Sequence, residues 1–168
     1  MRTRELQRLK ETAHHEAGHA VASWWLGVKF KYVTVAPAAD SLGHLKPRYP
    51  KWFQPDADSS DRVRLHIEQD IIIGFAGQLA QAKFRGERPR YGMHGDNRQA
   101  VDMASYRGGS TKTTEAYLRY CWCASEDLVS MRWREIQAVA DALLERQTIS
   151  YKEVIEVTLP LPIARKGE

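Results

Sequence analysis

Cysteine is scarce in this sequence. Cys121 and Cys123 are the two present in 168 residues, and one residue apart in a helical pattern they point to different faces. No disulfide framework and no shared cysteine metal site is expected; small buried thiols and a reducing cytoplasm fit better. Long apolar runs are missing too. The longest, Ile71-Ile72-Ile73-Gly74-Phe75-Ala76-Gly77, falls far short of the roughly 20 residues that span a bilayer. The opening Met1-Arg2-Thr3-Arg4-Glu5 leads into an amphipathic helix and not into a signal-peptide core, so no membrane partner is expected. Charge of one sign is also lacking: 25 basic residues face 21 acidic ones, a net +4, which is no nucleic-acid footprint. No internal repeat, low-complexity block or linker divides the chain. One domain over residues 1–159 is expected, with a flexible basic tail over residues 160–168 behind Pro160 and Pro162.

What the sequence does contain is His15-Glu16-Ala17-Gly18-His19, a match to H-E-x-x-H. On a helix, histidines four apart lie about 40° apart around the axis and roughly 6 Å along it, so both imidazoles can reach one zinc ion. Glu16, on the adjacent part of the same face, can contact a zinc-activated water without ligating the metal. Zinc lowers the pKa of such a water from about 15.7 towards about 7, and the glutamate takes its proton as it attacks a polarised carbonyl. The bland alternative is a surface helix with two solvated histidines. Against it, Ala13, Ala17, Ala20 and Val21 recur at three- and four-residue spacing, so the helix is half buried and its histidines look inward.

The rest reads as mostly helical. Residues 30–36 alternate and are β-branched and aromatic, a strand ending at Pro37, and Leu42-Gly43-His44-Leu45-Lys46 is a plausible partner in a hairpin. Residues 47–61 look like an exposed loop whose Tyr49, Trp52 and Phe53 either line substrate subsites or pack the loop down. A central helix capped near Asp58-Ser59-Ser60-Asp61 runs to about Phe84. Gly74 and Gly77 within it each cost about 1 kcal/mol relative to Ala, which is best explained by close approach of the helix carrying Gly18. A short helix spans Asn97 to about Ser105. A long helical region follows from Thr111 to Gln147, with a break expected near Ser125. Ser150-Tyr151-Lys152-Glu153 is a capping box opening a last helix through Val157.

A catalytic zinc keeps three protein ligands. The third must come from later in the chain, and spacing alone leaves Glu68, Asp70, Asp96, Asp102, His44, His66 and His94 open.

Residues 12–20, Thr-Ala-His-His-Glu-Ala-Gly-His-Ala, resemble the zinc-site segment of the peptidase domain of FtsH-type ATP-dependent metalloproteases. Tyr32-Val33-Thr34-Val35-Ala36-Pro37 with Leu42-Gly43 resembles that family's edge strand and the turn after it. Residues 74–80 resemble its glycine-containing central helix, Gly95-Asp96-Asn97-Arg98-Gln99-Ala100 the segment carrying its ligating aspartate, and residues 140–145, Thr148-Ile149 and Glu153 its closing helices. The resemblance covers about two-thirds of the chain. It implies a mainly α fold with a small β-hairpin or sheet, a single-domain zincin-like helical metallopeptidase. It also implies Zn2+ held by His15, His19 and Asp96, with Glu16 as general base; the alternative for Asp96 is a plain helix cap. Gln81 departs from the family pattern, standing where an acidic residue is usual, and Tyr91-Gly92-Met93-His94 replaces a Thr/Ser-rich lead-in to the aspartate.

The expected activity is hydrolysis of peptide bonds in unfolded or extended polypeptides, bound by strand addition along Tyr32, Val33, Thr34 and Val35. His44 or His94 is a candidate to steady the oxyanion, with a surface or core histidine the plainer reading of each. Nothing in these residues corresponds to the family's ATPase module or membrane anchor. A stand-alone enzyme, a monomer or small oligomer, is therefore expected, leaving room for a separate ATPase as partner. The alternatives are a zinc hydrolase of a small amide or of one dedicated partner, and an inactive zinc-bound adaptor or scaffold. The intact Glu16 argues against the last, since structural zinc has no use for a general base and is more often closed by a fourth protein ligand.

Overall fold

A computed structural model describes residues 3–37, 43–91 and 97–159. In chain order these form α1 (Thr3–Trp25), β1 (Phe30–Thr34), β2 (His44–Pro47), α2 (Asp61–Arg85), α3 (Asn97–Ser105), α4 (Thr111–Met131), α5 (Trp133–Arg146), β3 (Thr148–Ser150) and α6 (Tyr151–Thr158). The fold is mainly helical with one small antiparallel sheet, built around one hydrophobic core. The expected tail, residues 160–168, lies outside the described residues.

The α1–α2 pair is the spine of the molecule. Small residues make it possible: Ala13, Ala17 and Ala20 on α1 are fully buried, as are Ala76 and Ala80 on α2. At Gly18 a β-carbon would sit 2.5 Å from the Ala76 carbonyl oxygen and 2.8 Å from the Ala80 β-carbon. Only glycine lets the two backbones come this close. α2 is the central helix that its broad apolar surface implies, packed by α1, α3 and α4. It begins at Ser60, whose hydroxyl accepts the Val63 N–H, and ends at Gly86 in a left-handed conformation.

Four expectations change. The long helical region does not break near Ser125. That hydroxyl instead donates to the Ile72 carbonyl across the α2–α4 contact, and the chain turns at Arg132, whose guanidinium lies over Trp25 and binds Glu135. Residues 148–150, a bare link between two helices by sequence, form a third strand, the helix before them ending as expected at Gln147, which takes a positive φ of 62°. β1 is not an edge strand: the order is β2-β1-β3. Finally, Gly74 touches no other helix, with nothing within 4 Å of its missing β-carbon; it lines a cleft instead.

Candidate metal centre

α1 presents His15, Glu16 and His19 to a cleft of about 540 Å³ between α1, β2, α2 and α3. Each imidazole is tethered to α2 through Nδ1. His19 Nδ1 lies 2.7 Å from the Ile73 carbonyl oxygen, and His15 Nδ1 lies 3.2 Å from Gln81 Oε1. A carbonyl oxygen only accepts, so both Nδ1 atoms carry the proton and both Nε2 atoms are unprotonated. The two Nε2 atoms face each other 3.0 Å apart.

Two lone pairs so placed repel unless a cation sits between them. Zinc–nitrogen bonds of about 2.0–2.1 Å in a tetrahedral set put their nitrogens roughly 3.3–3.4 Å apart, so this donor pair fits a metal ion. Burial, reinforced by the neighbouring His15, pushes the His19 imidazole down to about 3 against the opposing pull of the Ile73 bond. His19 is therefore neutral, as a ligand must be, across the physiological range.

Glu16 is buried. Gly43, just before β2, leaves room for it: a β-carbon there would fall 3.0 Å from Glu16 Cγ and 2.9 Å from the Thr34 carbonyl oxygen. The Leu42-Gly43 signal in the sequence thus has a steric meaning at the candidate base, although Leu42 itself lies outside the described residues.

The candidates for a third ligand separate. His44, Asp70 and Asp102 line the cleft, yet among the described residues no group of three or more His, Cys, Asp or Glu side chains could hold a metal ion. Glu68 turns away to the Tyr117 and Tyr120 hydroxyls. His66 is enclosed by Phe53, Trp52 and Tyr49, with ring centroids 4.4, 5.4 and 6.3 Å away. Asp96 and His94 lie outside the described residues. Asp96 is joined directly to α3, whose first turn, at Arg98, Gln99 and Ala100, lines the cleft.

The expected substrate strand requires a correction. β1 is bonded on both sides, with Val33 opposite Leu45 of β2 and Ile149 of β3, and the Val35 N–H donates to Gln147. Among the described residues β1 has a neighbour on each side, so it offers a peptide no free edge. Val33, Thr34 and Val35 are buried, so their side chains serve the core, while the Tyr32 hydroxyl lies 3.4 Å from His44 Nε2. The free edge beside the cleft is β2, which pairs only with β1 among the described residues.

Sequence reasoning passed over Asp70 except as a possible ligand. Its side chain, 10% exposed, lines the cleft 4.0 Å from His66 Nε2, and burial pushes its carboxyl up to about 7. A carboxylate among apolar α2 residues, Ile67, Ile71 and Ile72, was the available signal.

No family model matches this chain. It is 24% identical, over 92% of its length, to the mitochondrial inner membrane m-AAA protease component yta12 of Schizosaccharomyces pombe, of which the match covers 24%. It is 23% identical, over 88% of its length, to the ATP-dependent zinc metalloprotease FtsH 2 of Methylacidiphilum infernorum, of which the match covers 28%. The chain thus spans about a quarter of the length of these curated relatives. Among the described residues no helix is long and apolar enough to cross a membrane. The similarity to FtsH-type proteases is distant and extends over most of the chain.

Proposed function

We propose that the protein is a zinc-dependent endopeptidase acting on unfolded or extended polypeptides. The observation that carries this reading is the pair of Nε2 atoms held 3.0 Å apart, with each ring's Nδ1 against an oxygen of α2, beside a buried glutamate. His15, His19 and Asp96, the residue that precedes α3 in sequence, would hold the metal. Bound there, zinc supplies Lewis-acid activation of water and of the scissile carbonyl. Glu16 accepts the proton of the attacking water and passes it to the departing amide nitrogen as the C–N bond breaks. The Ile73 carbonyl and Gln81 keep both imidazoles in the tautomer that leaves Nε2 open, and so orient them. An extended chain pairs with the β2 edge from His44 onward, laying its backbone along the cleft wall; His44, which lines the cleft, would meet the carbonyl oxygen.

The names of the two relatives, one a protease component and the other a zinc metalloprotease, support the same chemistry. A separate ATPase is the partner that would deliver unfolded substrate. The two free cysteines suit a reducing compartment such as the cytoplasm.

Glu16→Gln tests the reading, since it keeps size and metal ligands while removing the base. Wild-type protein should cleave denatured casein, and the variant should bind zinc normally yet lose several orders of magnitude in rate. Turnover of a small amide without casein cleavage would favour the narrow hydrolase. No turnover of either, at full zinc occupancy and with candidate ATPases added, would favour the scaffold.

A further inference from the structure

A second cleft of about 530 Å³ adjoins the first, within the size range of ordinary ligand sites. Val28, Lys29, Arg48 and Tyr49 line both, so the two are continuous. The path between them follows the chain: Gly43, His44 and Leu45 border the metal cleft, Arg48 and Tyr49 form the shared wall, and Pro50 borders the second cleft. A polypeptide laid along the β2 edge therefore runs from the two histidines into the second cleft.

The two compartments differ in charge. In the metal cleft Glu16, Asp70 and Asp102 stand against Lys29, Arg48 and Arg98, so the two signs balance. The second shares Lys29 and Arg48, adds Arg62, and among the described residues has no aspartate or glutamate lining it. These cations come from three separate segments: the approach to β1, the exit from β2, and the first turn of α2. Arg62 is fixed in place, its guanidinium stacked 3.7 Å over the Trp52 ring, an arrangement that leaves the edge of the fork available to an anion. His66, the remaining titratable wall residue besides Tyr49, is held neutral by burial. The exposed Leu65 and Tyr49 supply an apolar rim.

We propose that the second cleft is a specificity subsite that takes an acidic side chain of the polypeptide substrate, with Arg48 and Arg62 its principal contacts. This rests on the endopeptidase reading, and the test keeps the two apart. Quenched-fluorescent peptides, identical except for one residue set to Glu, Gln or Lys at each position flanking the scissile bond, are assayed with zinc-loaded protein. At one position Glu should raise kcat/KM about tenfold over Gln at low ionic strength, with Lys poorer than Gln and the preference shrinking in salt. In Arg48→Gln/Arg62→Gln that preference should collapse to within about twofold, while the Gln peptide is cleaved nearly as before. Cleavage without preference for Glu at any position overturns the subsite and leaves the endopeptidase standing. If no peptide is cleaved, fluorescence anisotropy with Glu16→Gln decides separately. Tighter binding of a Glu-bearing than of a Gln-bearing peptide, lost in the arginine variants, supports the acidic subsite. Equal binding, or none, overturns it.

Discussion

The His19 imidazole occupies the space that a side chain on Gly77 would need. A β-carbon built on Gly77 would meet Nε2 and lie 2.5 Å from Cε1 and 2.8 Å from Cδ2. The ring cannot give way easily, because its Nδ1 is held by the Ile73 carbonyl on the same helix. Gly77→Ala should therefore weaken zinc binding by at least about tenfold, since ligand orientation is what it disturbs. Gly74→Ala, a turn away and open to the cleft, should leave zinc affinity unchanged and stabilise α2 by up to about 1 kcal/mol. Competition with a fluorescent chelator and thermal melts check both. Equal zinc affinity in the two variants would remove the packing role assigned to Gly77.

His15 has a neutral tether where the resembling family usually places a carboxylate. Gln81→Leu removes the acceptor for the Nδ1 proton and should lower zinc affinity by about 10–100-fold. Gln81→Glu restores a charged acceptor and should raise affinity above wild type. Isothermal titration of the metal-free protein would show the order Leu, Gln, Glu; any other order argues against the tether.

Two carboxylates near α3 make different predictions. Asp96→Ala should lose zinc on gel filtration, whereas Asp102→Ala, although it borders the cleft, should retain about one zinc per chain. Unchanged metal content in Asp96→Ala would remove it from the ligand set.

Asp70 links the cleft to pH. Burial pushes its carboxyl up to about 7, from the ordinary 3.8 of an aspartate in water. A raised folded value means that stability is fully present below about 3.8 and is lost as pH rises through about 7. Asp70→Asn carries no such charge. In metal-free protein it should melt like wild type near about pH 3.5 and be more stable by about 2–4 kcal/mol near about pH 8. A stability difference independent of pH would contradict the burial of that carboxyl.

Much of this fold is written locally. The three- and four-residue recurrence of Ala13, Ala17, Ala20 and Val21 marks the buried face of α1. Ser60, Gly86 and the Ser150–Glu153 capping box announce element ends that the structure keeps. The features that escaped are those whose cause lies far away in sequence. Ser125 looks like an interruption until its hydroxyl finds Ile72, 53 residues earlier. Thr148 and Ile149 look like a mere link between two helices until they meet Thr34 and Val33. Gly74 and Gly77 carry the same local cost, and only the position of His19 tells them apart. Lys29, Arg48 and Arg62 carry no pattern at all; the walls of a cleft bring them together.

The placement of β3 also bears on when the sheet is completed during synthesis. β1 emerges early, but its second neighbour is made 114 residues later, where the Thr34 and Thr148 hydroxyls meet at 2.7 Å. Until then β1 has only the short β2 beside it, and an isolated two-stranded hairpin is marginal in water. A ribosome-bound chain that ends before Thr148 already contains His15, Glu16 and His19, yet the sheet that frames the cleft is unfinished. The motif is translated well before its working surroundings are finished, so a nascent or truncated chain carries the chemistry without the wall that aligns a substrate to it.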